Sequence, residues 1–323
     1  MPMASTPHPP PPASAPARYP RVILGNCVVP WRTDGTWDEP LFRRTVWHAA
    51  QRLGPHQYIF GTAGEGYAVT DRQFAEIGRA FVEEMRAAGG VPMIGVISLS
   101  LGTAQERIAQ ALEWDVREFQ LSLPAWGVLE DAEVDRFFAA TCGQFPAARF
   151  LHYNLARAKR VLTGADYTRL AARHPNLVAI KMGDGNVPAL RDVATAAEPA
   201  GVRCFFTEFG YHALADTTGC GLICSFGGCE PALARRWFAA SPPERAALEP
   251  AFRAIHAAAK SALAGATYMD GAYDKLYVKR HFPAFPLDLL PPYRGATEAQ
   301  FARFRVDCDA ALAQVSAQPV SAP

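Results

Sequence analysis

Short apolar segments alternate with amphipathic segments of helical length, and this alternation restricts the fold more than any other feature of the chain. The apolar segments are rich in β-branched and aromatic residues and are bounded by Gly, Pro or Asn, as is typical of buried parallel strands. The predicted strands are 22–30, 58–61, 91–97, 119–123, 149–153, 177–182, 203–206 and 221–224. Predicted helices between and after them include 38–53, 71–88, 103–114, 130–144, 164–172 and 230–240, with N-caps at Thr70 or Asp71 and at Thr163.

Eight strand–helix units predict an α/β fold, specifically a (β/α)₈ TIM barrel. A doubly wound parallel sheet would also alternate, but its first strand usually leads into a Gly-rich phosphate loop. Here the first strand ends in Cys27-Val28-Val29-Pro30-Trp31, which is no such loop. We therefore assign residues 20–241 to the barrel and 242–313 to a helical extension, interrupted by a Pro-rich turn at 282–292. The Pro-rich segment 1–19 and the tail 314–323 are expected to be disordered or flexible.

Composition excludes several classes of function. The 323 residues carry a formal net charge of +1 and no basic run, so neither nucleic acid nor an anionic membrane is expected as a partner. No leader-like or membrane-spanning apolar segment is present, which favours a cytoplasmic location. Cys220, Cys224 and Cys229 cluster, but their spacing fits no zinc site, so we expect packed thiols, no metal and no cofactor.

Lys181 is the most unusual charged residue. Only five of the 32 Lys and Arg residues are lysines, and of these only Lys181 lies within an apolar strand. A lysine in an apolar wall can lose its proton, whereas arginine cannot, and a neutral amine is the species that condenses with a ketone. Position alone is equally consistent with a lysine that pairs with a carboxylate at a strand end. Barrel geometry favours catalysis, because the carboxyl ends of the strands form the active site.

Two other strand ends carry suitable chemistry. The second strand ends in Gly61-Thr62-Ala63-Gly64-Glu65-Gly66, where glycines allow close backbone approach and successive amides can bind a carboxylate. The fifth ends in His152-Tyr153-Asn154. Taken alone, the tyrosine is as consistent with packing as with catalysis, and alternation directs His152 away from the barrel axis.

Together these motifs resemble the dihydrodipicolinate synthase/N-acetylneuraminate lyase family of Schiff-base aldolases. The resemblance rests on Gly61-Thr62-Ala63-Gly64-Glu65, Tyr153-Asn154 and Ile180-Lys181, in that order on the second, fifth and sixth strands, and covers most of residues 20–295. It implies that Lys181 forms the imine with a 2-keto acid and that Tyr153 shuttles protons. Thr62 would orient the phenol of Tyr153. The helical extension fits the same family, in which it contributes to a tetramer, so a homo-oligomer (tetramer or dimer) is expected.

The resemblance also implies a set of substrate-binding residues. The amides of Thr62 and Ala63 would hold the substrate carboxylate, with Gly64 in the same loop, and Ile223 on the eighth strand is assigned to the site. Glu208, with Phe209 and Tyr211, occupies the end of the seventh strand, where lyases of the family contact the distal part of the substrate. Asp184 and Asn186 are either similar contacts or parts of a solvated loop. Asp274, Lys275 and Lys279 in the extension are expected to form surface or interface pairs.

Three departures argue against a true dihydrodipicolinate synthase. Ala63 replaces a family Thr, so one carboxylate-binding hydroxyl is absent. Ala158 replaces the Arg that grips the second substrate, and whether Arg157 or Lys159 substitutes is open. Ala125-Trp126 replaces a Tyr pair, so the relay tyrosine is missing. Trp126 favours a larger or less charged aldehyde partner.

The leading hypothesis is a lyase or aldolase that makes or breaks a C–C bond through an imine between Lys181 and pyruvate or another 2-keto acid. A 2-keto-3-deoxy sugar acid dehydratase on the same scaffold is the alternative, because both reactions need the same lysine and tyrosine. A non-catalytic keto-acid-binding protein is the alternative of another class.

Overall fold

The computed structural model describes residues 15–183 and 186–316 and contains a closed eight-stranded parallel barrel. Neighbouring strands follow chain order, and the eighth pairs with the first. The strands are β1 Ile23–Asn26, β2 His56–Ile59, β3 Val91–Gly95, β4 Glu118–Leu121, β5 Arg149–Asn154, β6 Leu177–Met182, β7 Arg203–Phe206 and β8 Gly221–Cys224. The predicted (β/α)₈ TIM barrel is confirmed.

Helices connect the strands and extend the chain beyond the barrel. They are α1 Glu39–Arg52, α2 Asp71–Ala87, α3 Leu101–Glu113, α4 Asp131–Phe138, α5 Gly164–Arg173, α6 Val187–Ala197, α7 Glu208–Leu214, α8 Pro231–Ala239, α9 Pro242–Ala262, α10 Asp270–His281 and α11 Glu298–Ser316. Thr70 and Thr163 cap α2 and α5 through reciprocal bonds with Gln73 and Asp166, so two backbone N–H groups at each start are satisfied.

The chain just before β1 packs against the barrel. Tyr19 is 2% exposed, joins the cluster of apolar side chains inside the barrel, and its hydroxyl lies 3.2 Å from Nδ1 of His56. Arg18 donates to the carbonyls of His174 and Leu177 at 3.0 and 3.1 Å. The boundary drawn at residue 20 is therefore corrected: the packed chain includes residues 18–19, because their side chains fill and bond the amino end of the barrel. Residues 1–14 lie outside the described chain.

The extension covers the opposite, carboxyl end of the barrel. Gly271 at the start of α10 packs so closely on the loop after β2 that an added Cβ would lie 2.8 Å from the carbonyl oxygen of Ala63. Helix α11 packs along α9, and its buried Phe304 and Cys308 contact Tyr277 on α10 and Cys229 before α8. The helix continues to Ser316, beyond the expected end of the extension at residue 313.

In residues 15–183 and 186–316, none of the helices combines the length and the apolar character that crossing a bilayer requires. All seven cysteines, including Cys220, Cys224 and Cys229, are buried and unbridged.

Candidate active site

Lys181 lies on β6 with its amine inside the carboxyl end of the barrel. The residue is 4% exposed, and Nζ donates a hydrogen bond of 2.9 Å to the hydroxyl of Tyr58 on β2. Nζ also lies 3.8 Å from the centre of the Tyr153 ring. Burial lowers the pKa of Lys181 to about 8, since desolvation penalises the ammonium; the carboxylates of Asp270 and Asp274 act in the opposite direction.

Strand register brings the lysine and the tyrosine together. Tyr153 on β5 is the direct partner of Lys181 on β6, so both side chains leave the sheet on the same face. The neighbouring His152 faces outward as predicted: it is buried, and its Nδ1 lies 2.6 Å from the hydroxyl of Tyr167 on α5. Because side chains alternate along β5, Tyr153 points towards the amine of Lys181, whereas His152 points outward and packs against α5.

The two phenols at the amine are held in their protonated form. Burial raises the pKa of Tyr153 to about 12, although the side-chain hydrogen bond from Thr62 lowers it in part. Burial also raises the pKa of Tyr58 well above its ordinary value, and Tyr153 adds to that shift. Near neutral pH, therefore, both phenols can donate a proton, and neither is a strong base.

A cavity of about 300 Å³ opens above the amine. This volume is at the small end of the ~300–1,000 Å³ range for ligand pockets, so it suits a compact substrate. Six of the residues predicted for the site line it: Lys181, Tyr153, Thr62, Ala63, Ile223 and Glu208.

The other predicted site residues lie outside this lining. Gly64 is required by packing, because a Cβ there would lie 2.8 Å from the amide nitrogen of Phe60. Trp126 is 83% exposed. Phe209 packs against Phe226, while Tyr211 is fully buried and bonds the carbonyl of Phe238 on α8.

Asn186, which follows Lys181 in the chain, is not among the residues that line the cavity. Asn186 is exposed at the start of α6. Asp184 lies outside the described residues.

Two acidic residues of the cavity, Asp270 and Asp274, were not predicted as site residues. Asp270 and Asp274, one turn apart on α10, line it together with Glu208. One oxygen of Glu208 accepts from the amides of Ser225 and Phe226 at 2.7 and 3.1 Å, which fixes the loop after β8. Three carboxyl groups thus face the same small space as the amine.

The expectation of surface or interface pairs was wrong for Asp274 and Lys275, whereas Lys279 does pair with the exposed carboxylate of Glu298, at 3.1 Å. The three residues are 5%, 0% and 6% exposed, because α10 is packed onto the open end of the barrel. Lys275 donates to the buried carboxylate of Glu65 at 2.8 Å, and Lys279 donates to two backbone carbonyls. Asp274 Oδ1 accepts from Nδ2 of Asn26 at 2.9 Å.

Both cations beside the missing family arginine have partners. Arg157 makes a two-pronged bond to Asp270, at 2.8 and 3.2 Å, and Lys159 Nζ donates to the carbonyl of Trp126 at 2.8 Å. Arg157 also lines a second cavity of about 450 Å³, which shares Thr62 with the first. Of the two, Arg157 is therefore the cation nearer the site.

Comparison with known proteins gives sequence relatives over part of the chain. No family model matches. A probable 5-dehydro-4-deoxyglucarate dehydratase of Methylobacterium radiotolerans is 31% identical over 189 residues, which is 56% of this chain and 59% of that protein. A protein of the same name from Saccharopolyspora erythraea is 28% identical over 178 residues, 55% and 56% of the two chains. The chain therefore spans somewhat over half the length of the curated relatives it matches.

Solved structures match over almost the whole chain. A prophage protein of the dihydrodipicolinic acid synthase family from E. coli K12, in complex with pyruvate, superposes with a TM-score of 0.79 at 16% identity, covering 90% of this chain and 98% of that one. A sialic acid aldolase of Ruminococcus gnavus superposes with a TM-score of 0.73 at 14% identity, covering 93% and 97%.

The fold is thus that of the dihydrodipicolinate synthase/N-acetylneuraminate lyase family. The resemblance read from the motifs is confirmed at the level of the fold. The sequence relatives bear the name 5-dehydro-4-deoxyglucarate dehydratase.

Proposed function

We propose that this protein is a Schiff-base lyase that dehydrates a 2-keto-3-deoxy sugar acid through an imine at Lys181. The observation that carries the proposal is the buried amine of Lys181, whose pKa is lowered to about 8 and which lies between two protonated phenols. An amine with this pKa supplies a useful neutral fraction near pH 7. The imine that it forms is an electron sink for reactions at the neighbouring carbons.

The loop after β2 supports binding of the substrate carboxylate. Within the described chain, the amide N–H groups of Thr62 and Ala63 donate to no backbone carbonyl, and both residues line the cavity. Amides left open at a ligand cavity bind anions. A carboxylate held there would place the adjacent keto carbon against Lys181.

Dehydration then proceeds in two steps. Loss of a proton from the carbon next to the imine carbon gives an enamine. The enamine expels the hydroxyl group from the following carbon, which leaves as water once a proton is supplied. Tyr153 is placed to supply it: its phenol is protonated, lies beside Lys181 and is oriented by Thr62.

C–C bond cleavage is the second candidate, since it also starts from the imine. It differs in the proton that is removed first: cleavage takes the proton of the hydroxyl group, whereas dehydration takes the proton of the carbon next to the imine. The names of the sequence relatives favour dehydration. We also propose, on the family resemblance, that the protein is a cytoplasmic homo-oligomer, and light scattering tests the assembly.

Borohydride trapping tests the central claim. The protein is incubated with pyruvate and cyanoborohydride, and the adduct is located by intact mass and peptide mapping. We expect an adduct on Lys181 whose rate of formation rises with pH towards about 8 and then levels off, because the ammonium form has no free electron pair. Lys181→Arg should abolish it, and Lys260→Arg, a change at the exposed rim of the same cavity, should not. An adduct that persists in Lys181→Arg would refute the proposal.

Product analysis separates the two reactions. The protein is incubated with 5-dehydro-4-deoxyglucarate, and the products are followed by mass spectrometry. Loss of water from the substrate supports a dehydratase. Release of pyruvate or another shorter 2-keto acid together with an aldehyde would instead support C–C cleavage.

A further inference from the structure

Helix α10 places an aspartate, Asp274, in the cavity above the amine of Lys181. The residue is 5% exposed and lines the cavity opposite the strand ends. Its Oδ1 accepts from Nδ2 of Asn26 at 2.9 Å, and Ser225 adds a side-chain hydrogen bond. The carboxyl group is therefore held in one orientation by β1 and by the loop after β8.

The other acidic groups of the cavity have structural tasks. Asp270 receives both prongs of the Arg157 guanidinium, and Glu208 accepts two backbone amides. Both oxygens of Asp270 and one oxygen of Glu208 are thereby engaged by fixed donors. The phenols of Tyr58 and Tyr153 are protonated. A proton acceptor for carbon acid chemistry is thus needed, and Asp274 is the carboxyl group best placed for it.

We propose that Asp274 is the base that removes the proton from the carbon next to the Lys181 imine. The inference rests on the proposed function and divides its proton transfers between two residues. In the step, the C–H bond breaks and an O–H bond forms on Asp274. The electron pair forms the C=C bond of the enamine, and the π pair of the iminium moves onto nitrogen. The reverse step returns a proton from Asp274 to carbon.

The electrostatics of the cavity suit this role. Burial raises the pKa of Asp274 to about 6, while Asn26, Ser225 and Lys181 lower it in part. A carboxyl group with a pKa near the working pH is largely ionised, so it can accept a proton. It is also a stronger base than an ordinary carboxylate, so it removes the proton more readily. The titratable groups that line the cavity with it are Lys181 on β6, Tyr58 on β2, Tyr153 on β5, Glu208 on α7, His256 and Lys260 on α9, and Asp270, Tyr273 and Tyr277 on α10. The thiol of Cys224 on β8 lies close by.

Hydrogen exchange of pyruvate isolates this step. In D₂O, formation and reversal of the enamine replace the methyl protons of pyruvate by deuterium, which proton NMR measures directly. We expect Asp274→Asn to form the borohydride-trapped adduct normally but to exchange the methyl protons slower by roughly 10²-fold or more. The asparagine keeps an oxygen for the bond from Asn26. Asp309→Asn, a change of an exposed aspartate on α11, is the matched control and should exchange like the wild type.

The outcomes separate the two proposals. Exchange at the wild-type rate in Asp274→Asn, or loss of its adduct, would overturn the role of Asp274 while leaving the lysine chemistry intact. Absence of an adduct in the wild type would instead overturn the proposed function. Asp274→Glu restores a carboxyl group, so exchange of the methyl protons should partly return, with a shifted pH profile. A purely structural role of Asp274 would not produce that shift.

Discussion

At the scale of single residues, the proposed proton transfer depends on one hydroxyl group, that of Thr62, orienting another, that of Tyr153. Thr62 is 4% exposed and bonds the phenol of Tyr153, whose ring lies against the amine of Lys181. The phenol must point at the reacting atoms to deliver a proton, and a ring that is held only by packing can rotate its hydroxyl away. Orientation of this kind contributes to the rate of proton transfer.

Thr62→Val should therefore lower kcat by roughly 10-fold to 10²-fold with little change in adduct formation. Valine keeps the shape of the side chain and removes only the hydroxyl. Thr62→Ser, which retains the hydroxyl, is the control and should keep most of the activity. Steady-state kinetics on the substrate identified by product analysis makes the comparison, and equal kcat values for the valine and serine variants would contradict an orienting role.

The three catalytic residues predicted from the sequence share one property: each stands in a motif at a predicted strand end. Lys181, Tyr153 and Thr62 could be placed together because the carboxyl ends of parallel barrel strands converge. Tyr58 could not, since a tyrosine inside a strand is as common in cores as in sites. Its hydrogen bond with Lys181 forms only because the closed barrel brings β2 opposite β6.

At the scale of elements, α10 supplies two of the three carboxyl groups that line the cavity, those of Asp270 and Asp274. It carries charged residues on several sides and has no clear apolar face, so its sequence indicates a solvated helix. Its actual environment depends on partners far away in the chain: Lys275 reaches Glu65, 210 positions earlier. Because local patterns do not encode such pairs, the burial of Asp274 and Lys275 could not be predicted.

The pair of Glu65 and Lys275 should be the strongest single anchor of α10. Both side chains are 0% exposed, and Glu65 also accepts from the indole of Trp31 and the amide of Leu290. Removing one partner leaves the other charge buried without compensation, so Glu65→Gln should cost about 3–5 kcal/mol in the free energy of unfolding, measured in urea.

Two comparisons test that assignment to a buried ion pair. Glu39→Gln, which breaks an exposed pair with Arg43 on α1, should cost less than about 1 kcal/mol. The double variant Glu65→Gln/Lys275→Met should be more stable than Glu65→Gln alone, because no charge is left unpaired. A double variant as unstable as the sum of its single changes would contradict the pairing.

At the scale of the whole molecule, response to acid is set by buried groups more than by the net charge of +1. Burial lowers the pKa of His152 to about 3, and its ring lies between Tyr167 and Phe138. Burial raises the pKa of Asp274 to about 6. The two shifts have opposite consequences, because the folded chain resists protonation at His152 and favours it at Asp274.

The sign for His152 follows from its two states. The unfolded chain takes up the proton near the ordinary value of 6.5, whereas the folded chain does so only near 3, so stability falls as the pH drops through this window. Between about pH 7 and about pH 5, protonation of His152 in the unfolded chain should lower the free energy of unfolding by roughly 2 kcal/mol. Urea unfolding at a series of pH values measures this, and His152→Gln should flatten the curve. Asp274→Asn should steepen it, because the acid-induced stabilisation at that site is removed. Parallel curves for wild type and His152→Gln would show that the acid sensitivity arises elsewhere.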